Sequence, residues 1–380
     1  MTGLDVLVVG GGPAGLAAAI EARLQGLTVV VADRASQGPI DKPCGEGVLP
    51  DGVTALARWG IFPHPSIAFP FQGIRFIDCP SAIQAEAYFP THPGLGIRRD
   101  VLHRLLLQRA TELGVNMRWG AKVHDRGGQL HLGGERIAAG AIVAADGLNS
   151  RMRQWAGISA RVQRRRLGFR QHFGLAPWTD LVEVYWHRRG QAYVTPVAPR
   201  TICIAVVADP PGLHINELAA CFPALAARLA RAPRLGALAA AATYTTHVGR
   251  VAGPKMALVG DASGAVDAIS GAGLSLAFAQ ARVLGPALSQ GELATYQRHH
   301  RRLNTPARRM ARLLLLMGDH GWLRRRVLAV LASNPAIMTR LLADHAERQP
   351  RGTIDLVAMA ALGWRLLTAA PGSPGLSVSN

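Results

Sequence analysis

The sequence is poor in cysteine. Its four cysteines, Cys44, Cys79, Cys203 and Cys221, have no C-x-x-C spacing and no neighbouring cluster of ligand residues. This pattern points away from a disulfide framework and predicts no metal site. A chain with this cysteine usage is expected in a reducing, cytoplasmic environment.

Acidic residues and lysine are also scarce. The chain has 24 acidic and 42 basic residues, which gives a formal net charge of +18, and only three of the basic residues are lysines. The arginines are scattered or form short runs without interleaved aromatic residues, and no nucleic-acid-binding module accompanies them. The excess charge is therefore predicted to lie on solvated surface, and no nucleic-acid partner is expected.

Long hydrophobic runs are missing as well. The longest, Leu356 to Ala370, is interrupted by Arg365 and falls short of the roughly 18 to 20 residues that span a bilayer. The first residues lead into an apolar segment without a basic leader, so no secretory signal is predicted. With 380 residues, of which 49% are hydrophobic, the chain can form a nucleotide-binding domain and a second domain.

The start of the chain predicts a βαβ unit. An apolar strand at Leu4 to Val9 is followed by a glycine-rich turn, a helix that ends near Gln25 and a second strand at Leu27 to Ala32. The turn reads Gly10-Gly11-Gly12-Pro13-Ala14-Gly15, a G-x-G-x-x-G between a strand and a helix. This context predicts a dinucleotide-binding site.

The glycines of this turn each have a physical role in such a site. Gly10 permits the tight turn, Gly12 lets a pyrophosphate approach the backbone, and Gly15 lets the helix pack closely on the strand. Pro13 and Ala14 open the helix, whose N-terminus favours phosphate charge.

An acidic residue follows the second strand. Asp33 can accept hydrogen bonds from an adenosine ribose, and the adjacent Arg34 is assigned to the same site. The G-x-G-x-x-G turn and Asp33 do not by themselves distinguish FAD from NAD.

Two later segments make that distinction. The first runs from Ile142 to Arg153 and contains Asp146-Gly147, and the second runs from Ala257 to Gly273 and contains Gly260-Asp261. Together with the glycine turn they resemble the flavoprotein superfamily that contains the aromatic hydroxylases, which are group A flavin monooxygenases, and the geranylgeranyl reductases. The resemblance covers about the first 285 residues. It implies an α/β fold with a glutathione-reductase-like two-dinucleotide-fold FAD domain.

The resemblance also implies how these residues hold FAD. Asp146 and Gly147 would lie beside the cofactor phosphates, Asp261 after Gly260 would bind the ribityl chain, and Arg99 would contact the cofactor. Three further residues, Gly271, Ala272 and Gly273, would bring a helix N-terminus near the flavin pyrimidine ring. The partial positive charge of that terminus can stabilise a reduced anionic flavin.

The remaining pattern predicts an interleaved second domain and a helical tail. Expected helices run from about Val53 to Trp59, Asp100 to Leu113 and Ile215 to Leu229, from Gly273 onward, and beyond Glu292; expected strands lie in Phe69 to Tyr88, Val115 to Ile137, Ala141 to Ala145, Leu167 to Val207 and Met256 to Val259. The FAD domain is predicted to comprise residues 1–70, 97–160 and 248–300. A mixed β-sheet substrate domain is predicted at 71–96 and 161–247, and a C-terminal helical region at 301–380.

The predicted reaction depends on smaller segments. Lys42-Pro43-Cys44-Gly45-Glu46-Gly47 and Val266 to Gly271 resemble the geranylgeranyl reductases. The stretch Ala192 to Pro196 departs from them, because it keeps Tyr193 and a proline but loses the aromatics between them. This variant resembles monooxygenase-like proteins of bacterial secondary metabolism.

The leading prediction is therefore an FAD-dependent monooxygenase. It would hydroxylate a phenolic or polyketide-derived hydrophobic substrate through a flavin C4a-hydroperoxide in a site that excludes water. Geranylgeranyl-reductase-like reduction of an isoprenoid or other alkene is the alternative, with Cys44 as proton donor or redox thiol and Glu46 near the substrate. Tyr193 is a candidate substrate contact, whereas His172 is interpreted as a core or surface histidine.

Other readings stay open. Flavin-dependent halogenation would need a catalytic lysine, and Lys42 is the only lysine near a suitable segment. It would also need a Trp-x-Trp-x-Ile-Pro pattern, which is absent from the sequence. The alternative outside the enzymes is a non-catalytic protein that binds FAD or a lipid. The apolar stripe of Met310, Leu313, Leu314 and Met317 beside arginines could contact an anionic membrane peripherally or pack against the FAD domain.

The source of electrons follows from a missing motif. No second G-x-G-x-x-G follows the first, so no separate nicotinamide domain of the disulfide-reductase sort is predicted. Electrons would then come from transiently bound NAD(P)H or from a separate reductase.

Overall fold

The computed structural model describes residues 3–126, 129–209 and 217–347, together with Gly363. The described residues do not include the expected helix start at Ile215 or, apart from Gly363, any of the predicted tail beyond residue 347. The apolar segment from Leu356 to Ala370 belongs to that tail.

The first layer is a parallel sheet of five strands. Its strands are β1 (Leu4–Val9), β2 (Val29–Ala32), β8 (Asn116–Arg118), β12 (Ala139–Ala144) and β18 (Met256–Leu258). The order across the sheet is β18-β12-β1-β2-β8. Runs of valine, isoleucine and alanine form the central strands because both faces of a parallel sheet are covered.

Helices from distant parts of the chain cover this sheet. They are α1 (Pro13–Leu24), α2 (Pro50–Arg58), α3 (Arg99–Glu112), α4 (Arg151–Trp155) and α7 (Gly273–Ser289). The middle of α1 is a run of small buried residues, which lets α7 approach closely. At Gly285 of α7, an added Cβ would stand 3.0 Å from the Cβ of Glu21. This packing joins the start of the chain to a segment more than two hundred residues later.

The second layer is a mixed sheet of seven strands. They are β5 (Gly73–Asp78), β6 (Gln84–Tyr88), β13 (Arg161–Phe173), β14 (Leu181–His187), β15 (Gly190–Ala198), β16 (Thr201–Ala208) and β17 (Arg234–His247). Their order is β17-β13-β16-β15-β14-β5-β6, with β14 and β5 parallel and the other neighbours antiparallel. The predicted α/β fold class with an interleaved mixed sheet and a C-terminal helical region is thereby confirmed.

The long strand β17 was not predicted. Its alanine-rich sequence has a strong intrinsic preference for helix, so local propensity gives the wrong state. Pairing with β13 over 11 residue pairs overrides that propensity. The helix expected to run to Leu229 is also divided, into α5 (Leu218–Cys221) and α6 (Pro223–Leu229), because Pro223 begins a new helix.

Three long helices follow the two sheets. They are α8 (Leu293–Asp319), α9 (Gly321–Ala332) and α10 (Pro335–Ala346). In the mixed sheet, α9 packs against β5 and β6, and α10 packs against β6. Among the described residues no single helix is long and apolar enough to cross a membrane, and only α9 and α10 taken together, bent by 107°, have the length and composition for it.

Short strands complete the fold in two small sheets. One contains β3 (Gly47–Val48), β4 (Ala68–Phe71) and β7 (Gly94–Ile97), and the other contains β9 (Val123–Arg126), β10 (Gln129–Leu132) and β11 (Glu135–Arg136). The β3-β7-β4 sheet contacts β15. It therefore connects the loop before Gly47 to the mixed sheet.

Candidate functional site

A large cavity lies where the two layers face each other. Its volume is about 1260 Å³, above the roughly 300–1,000 Å³ of common ligand sites. The residues that follow β1, β2, β12 and β18 line one end, which is the edge where open α/β sheets bind ligands. Apolar side chains of the mixed sheet and of α8 to α10 line the other end.

The glycine turn forms a cradle at the first end. A Cβ at Gly10 would lie 2.4 Å from the carbonyl oxygen of Ala145, and one at Gly15 would lie 1.9 Å from that of Gly10. Gly12 differs, because no atom lies within 4 Å of its Cβ position and it borders the cavity. Two of the glycines are thus required by packing, while the third leaves space that a ligand can occupy.

Asp33 and His103 hold this turn from two sides. The Asp33 carboxylate accepts hydrogen bonds from the backbone N–H of Gly11 at 2.6 Å and of Ala35 at 2.7 Å, and it borders the cavity beside Arg34. His103 donates from Nε2 to the Gly11 carbonyl at 2.7 Å, and burial lowers the pKa of His103. His103 was not predicted as a site residue, because its only signal in the sequence is that of a polar residue on the apolar face of α3.

The Asp146 loop contributes a polar atom without a partner. Asp146 accepts a hydrogen bond from the Met152 N–H through Oδ2 at 3.2 Å, while its buried Oδ1 has no partner among the described residues. Gly147, at φ 84°, leaves open space beside it. Arg153 was not singled out from the sequence, yet its guanidinium donates to the carbonyls of Leu148 and Ala262 and so ties this loop to the next one.

Gly260 and Asp261 follow β18, the strand next to β12 in the parallel sheet, and border the same cavity as Asp146. Gly260 has φ 62° and donates its N–H to Gln280 Oε1 at 2.8 Å. The Asp261 side chain faces the cavity. Desolvation raises the pKa of Asp261 above its usual value, and the charges of Arg99 and Lys42 oppose this shift only in part. Arg99 also borders the cavity, and its buried Nε has no partner among the described residues.

The helix α7 begins at the same place. Gly271 has φ 62°, Ala272 is the N-cap, and Gly273 is the first helical residue. Nothing lies within 4 Å of the Cβ positions of Gly271 and Gly273, and both border the cavity. The partial positive charge of this helix terminus therefore faces open space.

These features fit FAD. The space at Gly12, the partnerless atoms of Asp146 and Arg99 and the N-termini of α1 and α7 offer a cradle for phosphates and for a polar ring edge. Fifteen residues were assigned to the cofactor from the sequence, and thirteen of them border the cavity. The other two are Gly15 and Ala272. Those two lie within the glycine turn and at the N-cap of α7, where they shape the cradle from behind.

Glu46 borders the cavity and caps α3. Its Oε1 accepts the Arg99 N–H at 2.9 Å and its Oε2 accepts from His172 Nε2 at 2.6 Å. The Glu46 side chain is buried and its backbone has φ 59°. His172 is therefore a core residue in contact with a candidate site residue, which refines its interpretation as core or surface.

A possible ligand set forms around this pair. Glu46, His172 and Cys203 are buried, and their ligand atoms lie within 4.8 Å of one another, which the cysteine spacing did not indicate. Arg170 places a guanidinium nitrogen 3.0 Å from His172 Nδ1 and 3.8 Å from Glu46 Oε1. Burial, followed by the charges of Glu46 and Cys44, raises the pKa of Cys203 well above its usual value. The hydrogen bond, the nearby cation and the protonated thiol all disfavour a metal ion here.

Cys44 is the thiol that the sequence offered as a catalytic candidate, and it borders the cavity. It is half-buried and accepts a hydrogen bond from the Glu46 N–H at 3.4 Å. Tyr193 borders the cavity as well, and its O–H donates to the Ile269 carbonyl at 3.1 Å. Its ring faces the cavity while its hydroxyl holds the loop before α7.

The far end of the cavity is apolar. The strands contribute Phe71, Phe76, Val182, Val184 and Val207, and the helices contribute Leu313, Leu314, Met317, Val327, Leu331 and Met338. The stripe of Met310, Leu313, Leu314 and Met317 thus faces this cavity and the mixed sheet. Ile269 and Ala272 share this apolar cluster, and α8 packs against α7, so the expected packing of the stripe on the predicted FAD domain agrees with the structure. Peripheral contact of the chain with a membrane stays a prediction.

Comparison with known proteins places the chain among flavoproteins. The family described as FAD binding domain matches residues 3–202. A menaquinone reductase of Mycolicibacterium smegmatis is 28% identical over 358 residues, which cover 83% of this chain and 85% of the relative. A digeranylgeranylglycerophospholipid reductase of Methanosphaera stadtmanae is 33% identical over 180 residues, or 42% of this chain and 43% of the relative.

A solved structure shares the fold over nearly the whole chain. A triple mutant of the flavin-dependent brominase Bmp2 superposes with a TM-score of 0.79 at 18% identity, covering 95% of this chain and 98% of that one. At this identity the likeness concerns architecture alone.

Proposed function

Because the chain belongs to the FAD binding domain family and is an FAD-dependent oxidoreductase, we propose that it reduces carbon–carbon double bonds in the isoprenoid chain of a lipid. The observation that carries this proposal is the apolar extension of the cavity between the mixed sheet and α8 to α10. A cavity larger than common ligand sites leaves room for a long hydrophobic chain beside the cofactor.

The similar proteins support the same substrate class. One is named for menaquinone, a quinone with an isoprenoid chain, and the other for a phospholipid with two geranylgeranyl chains. The first similarity extends over 83% of this chain and 85% of the relative. This favours reduction over hydroxylation, which the sequence pattern alone had placed first.

The chain would bind FAD through the cradle at the strand ends. Gly12 and the N-terminus of α1 would hold the pyrophosphate, Asp33 the ribose and Asp261 the ribityl chain. FAD supplies the two electrons of the reduction when it has been reduced by NAD(P)H or by a separate reductase. The apolar walls exclude water and orient the lipid, while Cys44 Sγ holds a proton for one carbon of the double bond.

Hydroxylation of a phenolic or polyketide-derived ring is the second candidate. The enclosed apolar walls that would hold a lipid would also keep water from an oxygen-transfer reaction. The two candidates differ in their products, because reduction adds two hydrogen atoms and hydroxylation adds one oxygen atom.

Product analysis tests the proposal. Purified protein reduced with NADPH, NADH or dithionite is mixed with menaquinone without oxygen, and mass spectrometry identifies the product. We expect a gain of two hydrogen atoms that persists after the quinone ring has been reoxidised in air, which assigns them to the isoprenoid chain. An oxygen atom gained only in air, from phenolic substrates and without any anaerobic reduction, would establish the hydroxylase instead.

A pair of cysteine variants tests the proton donor. Cys44→Ala is expected to lower the rate of alkene reduction by about 10²–10⁴-fold, the usual contribution of a positioned acid. Cys79→Ala is the control, because Cys79 does not border the cavity and burial raises its pKa to about 12. An unchanged rate in Cys44→Ala would remove this thiol from the reaction.

A further inference from the structure

The junction of α8 and α9 exposes two large hydrophobic side chains. Leu316 is 49% exposed and Trp322 is 62% exposed. Tryptophan is highly buried on average, so its exposure so close to an exposed leucine is unusual for a surface that faces only water. Both side chains point away from the cavity, since neither borders it.

Exposed arginines surround these two residues. Arg309 and Arg312 precede Leu316 by seven and four positions, which places all three on one face of α8. Arg325 follows Trp322 by three positions in α9 and is also exposed.

The nearby acidic residue does not cancel this charge. Asp319 pairs with Arg164 at 2.8 Å, and the hydrogen bonds from Arg164 lower the pKa of Asp319. Arg164 lies outside the patch and is shared with Asp209 at 2.6 Å, so it offsets part of the negative charge of Asp319. The three exposed arginines of the patch outnumber this one carboxylate. The patch of Arg309, Arg312, Leu316, Trp322 and Arg325 stays cationic with an apolar centre.

The inner face of the same helices borders the apolar cavity. Leu313, Leu314 and Met317 of α8 and Val327 and Leu331 of α9 line it. One pair of helices thus separates the apolar end of the cavity from the exposed patch. A surface placed against this patch would lie directly outside the wall of the cavity.

We propose that this patch docks on an anionic lipid bilayer. Tryptophan and leucine would enter the headgroup boundary, and the arginines would pair with anionic headgroups while their aliphatic stems lie along the apolar region. The stripe of α8 that the sequence offered for such contact faces the cavity, so the docking surface is the opposite face. Docking is measured without turnover, and it does not depend on which reaction the site performs.

Vesicle binding tests this surface. Holoprotein is sedimented with phosphatidylcholine vesicles that contain or lack phosphatidylglycerol. We expect the protein to bind the vesicles that contain phosphatidylglycerol, and we expect this binding to weaken as the salt concentration rises. Trp322→Ala with Leu316→Ser should weaken binding at least about tenfold, and Arg312→Gln with Arg325→Gln by roughly thirtyfold.

Control variants elsewhere on the surface test whether any loss of an exposed hydrophobic residue or of positive charge weakens vesicle binding. Phe62→Ser removes the most exposed large hydrophobic residue among those described, and Arg104→Gln with Arg118→Gln removes two exposed arginines from α3 and β8. We expect both to bind vesicles as the unaltered protein does. Equal losses in these controls, or equal binding to vesicles without phosphatidylglycerol, would overturn the proposal.

Two further readouts distinguish the remaining outcomes. Brominated lipids should quench Trp322 emission, so that the Trp322→Phe variant loses the quenching. The other outcome is that the protein binds duplex DNA, that the Arg312→Gln and Arg325→Gln changes abolish this binding, and that brominated lipid causes no quenching. That result would assign the patch to nucleic acid and contradict the membrane proposal.

Discussion

Gly12 and Gly15 belong to one turn but have different surroundings. The Cβ position of Gly15 collides with the Gly10 carbonyl, whereas that of Gly12 opens into the cavity. The backbone of Gly12 is extended, with φ −70° and ψ 175°, a conformation that other residues adopt. The two glycines therefore separate the requirements of folding from those of cofactor binding.

Substitution at each glycine should show this difference. Gly12→Val is expected to abolish FAD loading by filling the phosphate space, while costing the apoprotein only about 1 kcal/mol or less at the N-cap. Gly15→Ala should destabilise the protein by about 1–3 kcal/mol or more, because the main chain must move. The measurements are the flavin-to-protein absorbance ratio and urea unfolding of the apoproteins. Normal FAD loading in Gly12→Val would contradict the placement of the cofactor.

His300 in α8 is a buried residue that resists protonation. Its Nε2 lies 2.9 Å from Ser263 Oγ, and burial, together with the charge of Arg308, lowers its pKa to about 3. An unfolded histidine has a pKa of about 6.5. The unfolded chain therefore binds the proton first, and stability falls as the pH drops below about 6.5.

The pH dependence of unfolding should reflect this residue. Between pH 7 and pH 5 the unaltered protein is expected to lose about 2 kcal/mol more stability than His300→Gln, as measured by urea unfolding at each pH. His299→Gln is the control because the neighbouring His299 is exposed. Parallel pH profiles for the unaltered protein and His300→Gln would show that His300 is not a neutral buried group.

At the scale of elements, a buried ion pair fixes the loop before α7 to the mixed sheet. Arg166 of β13 donates to Asp267 Oδ1 at 3.2 Å, and Asp267 also accepts from Thr245 of β17 and from the Ile269 N–H. His345 of α10 donates to the Ser270 carbonyl of the same loop at 2.8 Å. The loop that presents the start of α7 to the cavity is thus held by strands and a helix from the second layer.

Breaking this ion pair should affect both stability and cofactor binding. Asp267→Ala leaves the buried Arg166 guanidinium with Asp209, 3.6 Å away, as its remaining carboxylate partner. Removing one partner of a buried ion pair typically costs about 3–5 kcal/mol, so we expect a loss of up to about that size in urea unfolding, together with weaker FAD binding. Glu112→Ala breaks the solvent-exposed pair with Arg109 and should leave the urea unfolding curve nearly unchanged. Equal effects of the two substitutions would show that the buried pair does not hold the loop.

At the scale of the whole molecule, the cofactor cradle is assembled from three distant segments. The glycine turn, the Asp146 loop and the segment from Gly260 to Gly273 meet because β12 and β18 join β1 in one parallel sheet. Arg153 and Gln280 add hydrogen bonds to the last segment. FAD bound across these segments would connect them further.

FAD should therefore stabilise the folded chain as a whole. At a free concentration of a hundred times its Kd, it adds about 2.7 kcal/mol to the free energy of unfolding and raises the Tm. Hydrogen exchange with and without FAD should show protection in all three segments. Protection confined to the glycine turn would mean that the later segments do not contact the cofactor.

The sequence by itself determined the parts of the protein whose cause is local. The strand, glycine turn and helix at Gly10 to Gly15 follow from backbone conformation and from the periodicity of apolar residues, and the resemblance of the Asp146 and Asp261 segments identified the flavoprotein fold class. The apolar stripe on α8 was likewise visible, because helical periodicity shows which residues share a face.

Only the tertiary structure decided what depends on partners far along the chain. The strand β17 forms against its own alanine propensity because β13 pairs with it, and the stripe on α8 faces the cavity because the mixed sheet lies above it. Glu46 meets His172 through a contact across 126 positions that no local pattern records. Periodicity identifies an apolar or polar face, but the packing of distant segments determines what that face touches.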